Sequence, residues 1–341
     1  MKTASRMQAG AALLALTCLT PLAANAQTTL RIQTPHAESS PTGELIVQFV
    51  DDIETMSGRD IDIEMYYSNA LVDTGGAFDA AVNGVLDCDM TNASFLTGKD
   101  PAFQFAADLM GGYDTPLQQL SWLYFGGGRE ALNQLYGESG MTFVGWHTGG
   151  QESLVSTKPV AGLDDLKEFK FRSPPGMESE IFSKLGAKPV VLDFSEISTA
   201  LETGIIDGAD ASYLSTNKSL GLYDIAKHTT YPGFHSMSAD HLACNSDVWN
   251  GMTDAQRRII DTAMQKLSLQ VAMRTELANG EVTEQLLADG VKLYDWSVED
   301  RAAFREAVRG IWDEWATKTP MAKMLVDSHR AYLMRIGLLE K

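Results

Sequence analysis

Few side chains in this sequence are both reactive and placed for presentation. Arg172 stands in "EFKFRSPPG" (168–176), where Phe169 and Phe171 alternate with Lys170 and Arg172 like a short strand with one apolar face. Pro174, Pro175 and Gly176 then end the strand in a stiff turn, and the following proline pushes Ser173 toward extended geometry. A guanidinium on such a mount is either a surface charge at a strand end or a planar fork aimed at an anion. The fork can hold a carboxylate through two charge-assisted hydrogen bonds. Gln151, just after the strand-like "FVGWH", supplies an amide donor and acceptor. Asp210, after "GIID", could complete a cation site or orient the arginine. Each alone reads as an ordinary surface residue. Their shared position after strands of one α/β unit points to a binding edge.

Enzyme signatures are missing. "YFGGGRE" has three glycines but no Lys-Ser/Thr after them, and no G-x-G-x-x-G follows the first strand. Ser215-Thr216-Asn217-Lys218 matches S-x-x-K, yet Ser246-Asp247 is followed by Val248 and Lys318-Thr319 by Pro320, so the companion motifs fail. The histidines are His36, His147, His228, His235, His241 and His329, and none forms an H-E-x-x-H or comparable pair. The pattern fits a binding protein, with an exported hydrolase as the remote alternative.

Met1 to Ala26 has the form of a secretory signal: Lys2 and Arg6, then an apolar run, then Ala24-Asn25-Ala26 as the cleavage site. Its removal leaves 315 of the 341 residues, enough for two domains. Losing Lys2 and Arg6 moves the formal net charge from -18 to -20. Such a charge argues against nucleic acid and anionic membranes as partners. Cys18 leaves with the signal, and Cys88 and Cys244 remain either as buried thiols or as a disulfide. The chain is expected in the periplasm.

The elements that must carry these residues follow an α/β order. "LRIQT" reads as a first strand; Ser40-Pro41 opens a helix that Gly58 ends; "DIDIEMY" is a strand, "GAFDAAVNGVLD" a helix, and Asp87 to Thr91 a short strand. That order predicts a mainly parallel sheet with helices on both faces. A second unit runs through the strands "MTFVGWH" and "FKFRS", the helix "GMESEIFSKLG", the strand "KPVVLDF", the helix "SEISTALETG" and the segment "IIDGADA". The strand-like "HLACN" precedes the longest helix, which a Thr253–Gln256 capping box opens and which runs to about Leu287, long enough to bridge two domains. No linker separates the units, which suits several crossings and a hinge.

The run "FKFRSPPGMESEIFSKLGAKPVVLDFSEISTALETGIIDGAD" resembles the second-domain core of the solute-binding proteins of tripartite ATP-independent periplasmic (TRAP) transporters, and the similarity extends over nearly the whole mature chain. "GKDPAFQFAADLMGGYDTPLQQLSWLYFGGGREALNQLY" and "LGLYDIAKHTTYPGF" are similar to the subgroup that binds 2-oxo acids and lactate-like acids.

The resemblance implies an α/β fold of two lobes with a hinge and a long helix bridging both. Lobe I would hold 27–150 and 240–275; lobe II would hold 151–239 and 276–341, including the C-terminal helices. It implies a non-catalytic receptor for a small organic acid that closes around its ligand and docks on a small and a large membrane subunit. Arg172 falls on the family's carboxylate-clamping arginine. Gln151 and Asp210 fall on cation ligands of the subgroup, and the set is completed by the Ala211 carbonyl and by Asp240, chosen over His241. The cofactor expectation is therefore nothing covalent, with Na+ or Ca2+ bridging protein and substrate. Where the subgroup carries tryptophan this chain has Ala211, which widens the pocket, and it has Ser94 and Phe95 where the subgroup has tyrosines. Phe95, Tyr213 and Phe234 are expected against the ligand's carbon skeleton, with His36 adding a polar contact. The same receptor could instead take an aromatic acid, a sugar acid or an ectoine-like zwitterion without metal. A homodimer through the apolar stripe of "MAKMLVDSHRAYLMRIGLL" is compatible, as is packing of that stripe on the protein's own core.

Overall fold

In the computed structural model, which describes residues 27–174, 176–192 and 196–340, eleven strands form two sheets. In chain order they are β1 Thr28–Gln33, β2 Ile61–Tyr66, β3 Cys88–Asp89, β4 Met141–His147, β5 Ser153–Ser156, β6 Lys170–Ser173, β7 Lys188–Val191, β8 Gly208–Ser212, β9 His228–Thr230, β10 Asp240–Asn245 and β11 Lys292–Tyr294. The secretory signal with its cleavage site, Pro175 of the arginine turn, and Asp193, Phe194 and Ser195 lie outside the described residues.

The first sheet has the order β2-β1-β3-β10-β4 and the second β11-β9-β5-β8-β6-β7. Both are mainly parallel, as the α/β order predicts, with one strand in each running against the rest. β10 returns from the far end of the chain and inserts antiparallel between β3 and β4, and β5 runs antiparallel to both β8 and β9. The β-α-β order saw only consecutive elements, and β10 lies more than ninety residues beyond β4. The insertion has a covalent consequence. Cys88 and Cys244 face each other across the β3–β10 pair with Cα atoms 3.9 Å apart, and they are joined as a disulfide. Of the two states left open for these cysteines, the paired one is present.

Local signals held where caps were explicit. Ser40 caps the helix Pro41–Met56 by accepting from the Gly43 N–H. The long helix, Asp254–Ala288, opens on a reciprocal Thr253–Gln256 capping box. Its Ile260, Met264 and Leu267 belong to the core under the first sheet, whereas its Leu286 belongs to the core under the second. It therefore bridges the two. The expected helix over 76–87 is shorter, Ala77–Val82, because Gly84 at φ 76° breaks it.

The last two helices connect the layers. The helix Val298–Ala316 packs on Met177–Lys184 of the second unit, and the helix Pro320–Arg335 packs on Phe103–Ala107 and Gly128–Gly137 of the first. Leu325, Val326 and Leu333 are fully buried there, and the His329 ring stacks on Trp122 with centroids 3.6 Å apart. The apolar C-terminal stripe thus covers the protein's own core. Among the described residues no helix is long and apolar enough to cross a membrane.

Candidate functional site

Strand direction decides which residues meet. In the second sheet β6 and β8 are parallel and β5 opposes β8, so the start of β5 and the ends of β6 and β8 share one edge. Gln151 and Glu152, which precede β5, thereby join Arg172 and Asp210. β9, antiparallel to β5, delivers Phe234 and His235 to the same edge.

Arg172 is not a surface charge: it is 5% exposed. Its Nε donates to the Leu192 carbonyl at 3.0 Å and its Nη1 to the Asp210 carbonyl at 2.7 Å, which fixes the plane of the guanidinium. Asp210 thus orients the arginine through its main chain, while its carboxylate Oδ1 meets His235 Nε2 at 3.0 Å. The mount is stiff for a backbone reason. Gly176 adopts φ 126°, and a Cβ there would lie 2.6 Å from Gln104 Oε1.

Acids crowd this edge, and two of them share one hydroxyl. Ser236 Oγ lies 2.8 Å from a carboxyl oxygen of Asp108 and 2.8 Å from one of Glu152, yet it has a single proton to give. The Asp108 oxygen also accepts the Met237 N–H, and the two carboxyls compete for the one Ser236 proton. Burial, then the neighbouring Asp210 charge, pushes Glu152 well above the usual carboxyl range. Burial does the same to Glu178, which is 2% exposed and has both oxygens without hydrogen-bond partners. Burial opposes ionisation of Asp210 too, but the His235 hydrogen bond and charge outweigh it, with Arg172 adding to them, and this carboxyl falls below its ordinary value. Among the described residues the edge thus sets the Arg172 cation beside Asp210, whose ionisation is favoured, and beside Glu152 and Glu178, whose ionisation is opposed.

Burial pushes Asp108 up to about 7. Its folded state holds a proton that the unfolded chain releases near pH 4, so stability falls as pH rises from there through 7. Asp108→Asn keeps both acceptor contacts and removes the penalty. It should flatten the stability–pH profile over that window and gain at least ~1 kcal/mol on the wild type at pH 8. Denaturation at pH 4 to 8 checks this, and parallel profiles for the two proteins would refute it.

The first sheet builds a facing edge. β1, β3 and β4 end where β10 begins, and Asp240 and His147 are register partners across β10 and β4. His36, in the loop after β1, places Nε2 2.9 Å from Asp240 Oδ2, and Asn92 Nδ2 donates to Asp240 Oδ1 at 3.0 Å. Burial lowers His147 to about 4, so its ring is neutral. Burial would raise Asp240, but the His36 hydrogen bond and charge, followed by His147 and Asn92, hold it well below the usual range. His241, the neighbour passed over, points the other way along the strand, between Tyr136 and Asp89. Tyr213, after β8, spans the two edges: its hydroxyl accepts the Gly149 N–H at 2.8 Å just beyond β4.

The expected residues therefore divide. Arg172 and Asp210 meet, Gln151 borders them, and Tyr213 reaches from their edge to that of His36 and Asp240. The four expected cation ligands do not form one cluster, since the carboxylates of Asp210 and Asp240 fall into separate groups with different histidines. Gln151 Nε2 donates to the Tyr113 carbonyl at 2.6 Å and its Oε1 is buried without a partner; Ala211 is half-buried. Phe234 stacks on Trp296 at 4.0 Å and meets Phe304 edge-on, and Phe95 is 53% exposed. Sequence reasoning passed over Glu152, Glu178, Asp108, Asn92 and His147. Glu152 adjoins Gln151 and His147 closes a recognised strand, which were the only local signals; the other three carry none.

A family model described as "Bacterial extracellular solute-binding protein, family 7" matches residues 32–319. The chain is 30% identical over 285 residues to a monocarboxylate 2-oxoacid-binding periplasmic protein of Nostoc sp., covering 83% of this chain and 78% of that protein. It is 25% identical to the sialic acid-binding periplasmic protein of Vibrio cholerae, over 88% of this chain and 92% of that one. Among solved structures, a TRAP periplasmic solute-binding protein from Rhodobacter sphaeroides, apo and open, superposes with a TM-score of 0.81 at 34% identity, over 92% of this chain and all (100%) of that one. One from Colwellia psychrerythraea with bound calcium and pyruvate has the same fold, with a TM-score of 0.81 at 23% identity, covering 92% and 96%. Two sheets joined by one long helix, edges facing each other, and a match over most of the chain lead to one assignment: the protein belongs to the family 7 extracellular solute-binding proteins, the periplasmic receptors of TRAP transporters.

Proposed function

We propose that this receptor binds a small organic carboxylate, a 2-oxo or 2-hydroxy acid, between the two facing edges, with the carboxylate on Arg172. The observation that carries this reading is the buried guanidinium held in plane by two carbonyls, beside Glu152 and Glu178, whose burial opposes ionisation. A fixed cation whose acid neighbours Glu152 and Glu178 resist ionisation attracts an anion with little opposing charge beyond that of Asp210, and protonated carboxyl groups can donate hydrogen bonds to it. The similarity to a 2-oxoacid-binding relative supports the ligand class. Tyr213, and Phe95 at the exposed rim, would bound the carbon skeleton, and His36 would add a polar contact from the opposite edge. Gln151 Oε1, buried and unpartnered, suits an oxygen-ligated Na+ or Ca2+ bridging to the acid, with the Asp210 carboxylate and the Ala211 carbonyl. Binding would favour the closed arrangement of lobe I (27–150, 240–275) and lobe II (151–239, 276–341), because only closure lets both touch the ligand. The closed receptor, exported and cleaved after Ala26, would dock on the small and large membrane subunits.

A second reading has its own observation. Glu178, whose oxygens make no hydrogen bond though Oε1 lies 3.8 Å from His235 Nε2, suits the cationic end of a zwitterion, and the small Ala211 leaves room for it.

A thermal-shift screen of refolded mature protein separates the two. A ligand that binds only the folded state raises the melting point with concentration. A 2-oxo or 2-hydroxy acid should shift it, more strongly with sodium or calcium than with chelator. A shift confined to zwitterions, indifferent to cations, would replace the first reading with the second. No shift with any acid or zwitterion would overturn both.

A further inference from the structure

We propose that His36, His147 and Asp240 form a binding site for a divalent transition-metal ion of the zinc class, distinct from any oxygen-ligated cation beside Gln151. Each residue offers one donor atom, and the three atoms lie within 4.8 Å of one another. Asp240 and His147 are fixed opposite each other by β-sheet register, and His36 approaches from the loop after β1. Sheet geometry thus sets two donors and one loop supplies the third.

A hydrogen bond alone accounts for His36 and Asp240, whose donors are 2.9 Å apart. It does not account for His147. That residue is 3% exposed, and its Nε2 is buried with no hydrogen-bond partner. Buried ring nitrogens are nearly always bonded, and a neutral imidazole with an unused lone pair is a metal donor. Tetrahedral zinc with bonds of about 2.0–2.1 Å sets its donors ~3.3 Å apart. Replacing the shared His36–Asp240 proton by the ion would lengthen that contact slightly, and a turn of the His147 ring would bring in the third donor. Asn92 already holds the other Asp240 oxygen, as outer partners of metal-binding carboxylates do. Three protein donors would leave one position of the ion open. Two imidazoles and one carboxylate select zinc, cobalt, nickel or copper over sodium or calcium.

The test needs no organic acid, so it fails or succeeds independently of the carboxylate reading. Mature protein stripped with chelator is titrated with Co2+ alone. One equivalent should bind and give the visible bands of a low-coordinate site with nitrogen donors, and Zn2+ should displace it. His36→Gln, His147→Gln and Asp240→Asn should each weaken binding at least about tenfold, while His235→Gln leaves it unchanged. Ring-nitrogen NMR of the zinc-loaded wild type gives the ligands directly, with two histidines shifted, should a variant fail to fold. Unchanged affinity in His147→Gln, loss in His235→Gln instead, displacement by equimolar Ca2+, or no bound cobalt would each overturn the proposal.

Discussion

Arg172→Ala should abolish binding of the organic acid. The wild-type guanidinium is buried and its plane is set by the carbonyls of Leu192 and Asp210. A carboxylate brought to the edge of the variant would be desolvated and unpaired, beside the ionised Asp210. Removing one member of such a pair costs about 3–5 kcal/mol, more than a hundredfold in Kd. The substitution also leaves two carbonyls without their donor, so the melting point should fall. Arg172→Lys separates the two effects: it keeps the charge and loses the planar fork, and should bind measurably but weakly. Calorimetric titration with the acid found in the screen reads the loss. Tight binding by a folded alanine variant would remove Arg172 from the site.

The second large effect concerns the Cys88–Cys244 disulfide, which closes a loop spanning 156 residues of sequence and links β3 to β10. Cross-links of that reach restrict the unfolded chain, and their loss costs about 2–5 kcal/mol. Cys88→Ala/Cys244→Ala should therefore unfold at markedly lower urea concentration than the wild type. Reductant should lower the wild type toward the variant and leave the variant unmoved. Equal midpoints for the oxidised wild type and the variant would show that hydrogen bonding and packing of β10 suffice without the bond. The binding edge is tied to this bond as well, because β10 carries Asp240 at its other end.

Much of the molecule was legible from short-range chemistry. Ser40-Pro41 and the Thr253–Gln256 box each mark a helix start because a side-chain oxygen four residues or fewer away satisfies an otherwise unpaired N–H. Arg172 was legible because alternation, two prolines and a glycine specify a strand end whatever packs around it. The short strands β5, β9 and β11 escaped, since three or four residues give too little alternation to register.

What the sequence by itself determined is therefore local: the element order, the helix caps, the stiff mount of Arg172, the excess of acid, and the family likeness of the second-unit core. What only the tertiary structure decided is which distant residues share an edge. His36 and Asp240 are 204 residues apart and touch because β10 inserts antiparallel beside β4. The same insertion pairs the cysteines, which composition had left open. It likewise took tertiary contact to turn Asp210's carboxylate toward His235 and its carbonyl toward Arg172, and to push the carboxyls of Glu152 and Glu178 upward by burial. Strand register and burial set these outcomes. Both depend on contacts between segments remote in sequence, so no local pattern encodes them.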